Sequence, residues 1–110
     1  MARFLQFAKY TPQACAAVFA DGWAQRRAVL EKYVEGMGGK MIDMYAVASD
    51  EWDFVVHVEA DDLGPAKTAA HLLRVYGAGA IERSMTVSIA TLDEVDAARS
   101  SLPGYTPPGQ

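Results

Sequence analysis

A single cysteine among 110 residues leaves no partner for an intrachain disulfide. The fold therefore does not depend on an oxidising compartment. Nowhere does the chain approach the roughly 18 consecutive apolar residues of a membrane-spanning helix, so no membrane partner is expected. There is no Lys/Arg block either: ten basic residues are scattered among fourteen acidic ones, for a net charge of −4. A surface of that kind does not neutralise phosphates, which makes nucleic acid a poor partner. The opening MARFLQFAKYTPQACAAVFA imitates a secretory leader, but Gln6, Lys9, Pro12 and Gln13 interrupt the continuous apolar stretch that such a leader needs. It is read as mature structure, with the cytoplasm as the expected compartment. What is present, 51% hydrophobic and 22% charged residues, is the composition of a globular domain. One domain over residues 1–102 is expected, followed by a flexible tail over 103–110. A domain this small buries a modest core, so a homodimer that hides a further sheet face would help to stabilise it.

RFLQFAKY alternates as a first strand, and Thr11 followed by Pro12 offers a hydroxyl cap and a ring with pre-set φ for a helix start. Cys15, Val18 and Phe19 are expected to face inward from that short helix. Asp21 then looks like a new cap and Gly22 a bend. Trp23, Leu30, Tyr33, Val34 and Met37 recur at helical spacing, with Arg26, Arg27, Glu31, Lys32 and Glu35 on the other sides. Gly38 and Gly39 stop this helix. KMIDMYAVA and WDFVVHVEA form a hairpin across Ser49, Asp50 and Glu51. Asp61 and Asp62 offer caps to a further helix, whose buried stripe is expected to be Ala66, Ala69, Ala70, Leu73 and Tyr76, with His71 at the surface. AIERSMTVSIA is the last strand, with Ile81, Met85, Val87 and Ile89 on one face. Thr91 with Glu94 has the spacing of a capping box for a final helix that Pro103 closes.

Strand, helix, strand, strand, helix, strand is the order of the α+β ferredoxin-like fold, βαββαβ with a four-stranded antiparallel sheet. Its helices cover one sheet face. Period-two alternation then predicts Leu5, Phe7, Ile42, Met44, Trp52, Phe54, Val56, Val58, Met85 and Val87 on the helix side. Phe4, Gln6, Tyr10, Asp43, Tyr45, Asp53, Val55, His57, Glu59, Ser84, Thr86 and Ser88 fall on the open side. Trp52 is expected to anchor the core.

RFLQFAKYTPQ, DGWAQRRAVLEKYVEGMGGKMIDMY, EWDFVVHVEADD and TLDEVDAA together resemble the GYD domain family, small bacterial proteins with a ferredoxin-like fold related to dimeric α+β barrels. The resemblance runs to about Ala98. The triplet that gives the family its name falls on Glu51, Trp52 and Asp53, where the aspartate is kept and the aromatic is kept in kind. The resemblance implies the fold and self-association, and carries no catalytic role with it.

Some patterns imitate chemistry. GMGGK, residues 36–40, lacks the four-residue spacer of a phosphate loop and runs from helix to strand, whereas a phosphate cradle needs the reverse order. His57-Val58-Glu59 contains the H-x-E of zinc deaminases, but its P-C-x-x-C partner cannot exist with one cysteine. His57 and Glu59, even with Asp43 nearby, fall short of the about three or four ligands of a zinc centre, so no metal and no cofactor are assigned. Cys15 reads as a small buried apolar residue.

The open face nevertheless gathers groups that could meet a small molecule. His57 could act as an acid or base, Tyr45 as a hydrogen-bond donor, Asp43 or Asp53 as an orienting carboxylate, and Gln6 with Thr86 as polar contacts. The expected function is a homodimeric small-molecule-binding or interaction module with a cavity between sheets. The alternative is a small cofactor-independent monooxygenase or isomerase that uses His57, a chemistry known among the related barrels.

Overall fold

Thr11 starts the first helix as its spacing predicts: its hydroxyl oxygen accepts from the Ala14 backbone N–H at 3.3 Å, and Pro12 is the first helical residue. From that point the computed structural model, which describes residues 2–61 and 63–110, can be followed in both directions. The elements are β1 (Ala2–Tyr10), α1 (Pro12–Asp21), α2 (Ala24–Gly36), β2 (Gly39–Ala46), β3 (Phe54–Ala60), α3 (Pro65–Gly77), β4 (Ile81–Ile89) and α4 (Leu92–Arg99). All strand pairs are antiparallel, and the sheet order is β2-β3-β1-β4. This is an α+β architecture compatible with the ferredoxin-like fold.

The helix boundaries differ from expectation in two places. Asp21 is the last residue of α1 and not the cap of α2; Trp23 holds the cap position of α2 without a side-chain hydrogen bond. The start of α3 is set by Gly64 and Pro65, because a proline at the first helical position pre-forms φ and needs no capping carboxylate. Asp61 lies outside the helix, and Asp62 falls outside the described residues. Thr91 and Glu94 do form the reciprocal capping box, and α4 ends at Arg99, before Pro103 is reached. Between α2 and β2 the chain turns through Gly38 at φ +88°, and a Cβ on Gly39 would come within 3.2 Å of the Glu59 carbonyl oxygen and Val34. GMGGK is thus a helix stop packed closely against β3.

The register fixes which residues share a face. Gln6 of β1 lies between Val56 of β3 and Thr86 of β4, and Leu5 lies between His57 and Val87. Ala8, Tyr10, Met41, Phe54 and Val56 form the buried core, against which Ala14, Cys15 and Val18 of α1 and Leu30 and Val34 of α2 pack. The helix side therefore carries Phe4, Gln6, Ala8 and Tyr10 from β1, and Thr86 and Ser84 from β4. For β3 and for Met44 the expected faces hold, but β1 and β4 are turned over relative to the expectation. Leu5, Phe7, Met85 and Val87 belong to the open face. Two irregularities disguise this. The pairing shifts between Lys9 and Tyr10, so that Ile81 joins Tyr10 on the helix side, and between Met41 and Asp43, where Ile42 is the extra residue. A bulge inverts the alternation beyond it.

Three further expectations are corrected. Trp52 precedes β3 and packs at a tilt of 49° against Phe7 of the open face, at 6.0 Å between centroids, with the Arg83 guanidinium over its ring. Strand alternation starts only at Phe54, so it could not be extrapolated back to the indole. Phe19 is 94% exposed, one position past Val18, which takes the inward place. On α3 the inward residues are Thr68, His71, Leu72 and Val75, whereas Ala66, Ala69, Ala70, Leu73 and Tyr76 are exposed. Leu72 and Val75 fill more volume than a row of alanines, and Leu73 is left 78% exposed.

From Ala90 to Gln110 every residue is exposed, including Leu92, Val95, Leu102 and Tyr105. The radius of gyration is 17.1 Å, against about 13 Å for a compact chain of this length. This projecting segment leaves the sheet at Arg3, which bonds Glu59 at 3.3 Å and Glu94 at 2.7 Å.

Candidate functional site

The residues singled out from the sequence do not converge on one place. His57 is on the open face beside Leu5 and Val55. Its Nε2 is buried and has no hydrogen-bond partner. Its register neighbour Asp43 lies towards the sheet edge, where its carboxylate accepts from the Tyr45 hydroxyl at 2.8 Å, from the Met44 backbone N–H at 2.9 Å and from Arg27 at 3.4 Å. Those bonds, led by the Tyr45 hydroxyl, hold the Asp43 carboxyl below the usual range, and the bond to Asp43 with its negative charge pushes the Tyr45 phenol up. Tyr45 is 59% exposed.

Asp53 sits at the end of the sheet. Its carboxylate accepts from the Tyr10 backbone N–H at 2.8 Å, from Lys9 Nζ at 3.2 Å and from Cys15 Sγ at 3.6 Å. Burial pushes this carboxyl up, but the Tyr10 amide and Lys9 outweigh it and hold it below the usual range. Burial, followed by the charge of Asp53, pushes the Cys15 thiol up, which keeps it a neutral thiol and a poor nucleophile. The Asp53 backbone is equally committed: its N–H donates to Ala8 and its carbonyl accepts from Val47, both at 2.9 Å. Asp53 thus ties the hairpin to the start of α1.

Gln6 and Thr86 face the helices and line a different space. Between the sheet, α2 and α3 lies a cleft of about 140 Å³. Leu30, Val34, Phe54, Val56, Val75 and Ile81 supply apolar walls, and Gln6, Tyr10, Arg26, Tyr33, His71 and Ser84 supply polar groups. A smaller cavity of about 50 Å³ shares Gln6, Val34, Val58 and His71 with it and extends to Leu63, Thr68 and Thr86.

A hydrogen-bonded chain crosses the cleft. His71 Nε2 lies 3.3 Å from Gln6 Oε1, and Tyr33 Oη lies 3.0 Å from His71 Nδ1. With the Gln6 carbonyl as acceptor, the ring carries its proton on Nε2, and Nδ1 accepts from the Tyr33 hydroxyl. Burial pushes the His71 pKa down, so the ring is neutral near pH 7. Both of its nitrogens are engaged, which makes it a linker between α2, α3 and β1.

Tyr10 differs. It is only 2% exposed, it packs against Trp23 and Phe54, and its hydroxyl has no hydrogen-bond partner. An unpaired buried hydroxyl costs roughly 1–3 kcal/mol, and here it belongs to a residue that lines the cleft.

Tyr10, Arg26, Tyr33 and His71 were not among the residues selected from sequence. The available signal was the pair Tyr33 and His71 at inward helical phases, which becomes visible only once Leu72 and Val75 are taken as the buried members of α3. Among the described residues, no group of three or more His, Cys, Asp or Glu side chains is placed to hold a metal ion, and no helix is long and apolar enough to cross a membrane.

Residues 4–98 match the family model described as GYD domain. No curated protein and no solved structure matches the chain.

Proposed function

This chain belongs to the GYD domain family, and from that premise and the cleft geometry we propose that it works as a homodimeric module that binds a small molecule. The observation that carries the proposal is the Tyr10 hydroxyl, buried and unpartnered beside an apolar cleft. Small-molecule sites are concave and mostly apolar, with a few placed polar groups. The expected cavity between two sheets is relocated here to the space between sheet and helices, because Gln6 and Thr86 face that way. At about 140 Å³ the cleft is comparable to the roughly 150 Å³ engineered cavity that takes up benzene. A fragment set screened by thermal shift and NMR against the full chain tests this. Hits should be lost in Tyr10→Phe while its melting temperature stays at or above that of the parent; hits that survive the change would remove Tyr10 from the site.

Dimerisation is assigned to the open sheet face. Leu5, Phe7, Val55, Met85 and Val87 give it an apolar centre, and Arg3, Glu59 and Arg83 give it a charged rim, the arrangement of a protein interface. The exposed apolar residues of the C-terminal segment adjoin it through the Arg3–Glu94 contact. Light scattering at micromolar concentration should report a dimer, and Val55→Lys should abolish it.

One observation favours a second function, a small cofactor-independent monooxygenase or isomerase acting through His57. Its buried Nε2 is free of partners and would face any molecule enclosed between two sheets. Turnover lost in His57→Gln but retained in Tyr10→Phe would select this function over the first.

A further inference from the structure

Arg26 gives the cleft a chemical preference that its shape alone does not. It is the one charged side chain among the described lining residues. The sequence pattern sets it on the outer side of α2 with Arg27, but it is half-buried while Arg27 is exposed. Arg27 reaches Asp43. Arg26 makes no ion pair and no side-chain hydrogen bond among the described residues, and no carboxylate lines the cleft. A guanidinium against an apolar wall, with its donors uncommitted, is suited to a planar anion, because its paired N–H groups match the two oxygens of a carboxylate. Neutral His71 adds no second positive charge, so the cleft is matched to a single negative one. The rest of the lining is mainly aromatic and branched aliphatic, and it includes Tyr10, whose hydroxyl is unpartnered.

We propose that the ligand of this cleft is a small aromatic monocarboxylate. Its carboxylate is held by Arg26 and its ring is packed between Phe54, Leu30 and Val75, with Tyr10 free to bond a hydroxyl or carbonyl on the ring. This rests on the binding function proposed above and specifies the class of molecule bound. The volume limits the ring system to one ring. Arg26 disfavours a plain hydrocarbon, because filling the cleft with a molecule that has no acceptor strips water from the guanidinium without replacing it.

The test uses the full chain, with sodium benzoate and benzamide as probes of the same outline that differ in charge. Titrations followed by calorimetry and NMR should show benzoate binding more tightly than benzamide, with an affinity that falls as salt is raised. Arg26→Gln should weaken benzoate by about tenfold or more, the scale of one charge-assisted hydrogen bond, and leave benzamide within about twofold. Arg26→Lys should recover part of the loss, which separates lost charge from lost packing of the arginine stem. Equal affinities for the two probes, or an Arg26→Gln variant that binds benzoate as the parent does, would overturn the anion preference and leave the cleft as a neutral site. If neither probe binds, the proposal of an aromatic carboxylate falls. If the wider fragment set also finds nothing that depends on Tyr10, the binding function falls with it.

Discussion

The two faces of the sheet are built from similar residues and solve different problems. On the helix side, polar groups are enclosed with their partners: Gln6 and Tyr33 both bond His71. Two residues that line the cleft depart from this: Tyr10, whose buried Oη has no partner, and half-buried Arg26, whose guanidinium makes no hydrogen bond or ion pair among the described residues. On the open side the apolar residues form a platform, with ion pairs at its rim and His57 Nε2 unpartnered in its interior. Buried polar groups are ordinarily hydrogen-bonded, so one unsatisfied atom on each face marks where each face is incomplete by itself. The helix side has room for a small molecule, and the open side has the extent for a second copy.

The largest expected effect tests the helix side as the core. Phe54→Ala should lower stability by roughly 3–5 kcal/mol, as large aromatic truncations in cores do, measured by chemical denaturation. Next, His71→Ala should cost about 1–3 kcal/mol, because it leaves Tyr33 and Gln6 without partners. His57→Ala in a monomeric background should cost far less, since no hydrogen bond is lost. If the two histidine variants were equally destabilised, the contrast between the faces would fail. Trp52→Ala, on the open face, should cost about 1–2 kcal/mol for its partial burial; a core-sized loss would return the indole to the position that alternation alone suggests.

Alternation was informative where the chain is regular and misleading where it is not. Element order, the Thr11 and Thr91 caps, the stop at Gly38 and the inward set of β3 were legible, because each depends on residues close in sequence. The face of β1 was not. Its two sets, Phe4, Gln6, Ala8, Tyr10 and Leu5, Phe7, Lys9, are both mostly apolar with one polar member each, and Gln6 made the first look like the wet one. What turns Gln6 inward is His71, on a helix distant in sequence. On α3, three alanines at helical spacing imitate a buried stripe, although alanine gains little from burial and commits a helix weakly. The extra residues in β2 and β4 reverse the phase with no local mark in composition. The candidate site was therefore split: Gln6 and Thr86 were selected but placed on the wrong face, and Tyr10, Arg26 and His71 were missed.

Smaller effects sharpen the same contrast. The pKa of His71 is lower in the folded chain than in the unfolded one, so the unfolded chain binds the proton more readily. The stability this neutral ring contributes is complete above its ordinary value of about 6.5 and declines as pH falls through the window beneath it. Urea midpoints should therefore drop between about pH 7 and 5, and the drop should shrink in His71→Gln. Asp53, depressed when folded, contributes above about pH 4 and loses its contribution only below that, so Asp53→Asn should flatten the more acidic part of the curve. The least effect on the stability of one chain is expected from Val55→Lys, within about 1 kcal/mol at a half-buried position of the open face, even though it should abolish the proposed dimer.

The two histidines stand on opposite faces, and their ring resonances report the two faces separately. In NMR spectra of the full chain, titration with benzoate should move the His71 ring signals and leave those of His57 in place, whereas dilution through the dimer dissociation range should move His57 and leave His71. Benzoate shifts confined to His57 would contradict the account, because they would put the small molecule on the open sheet face and leave the helix-side cleft as ordinary core.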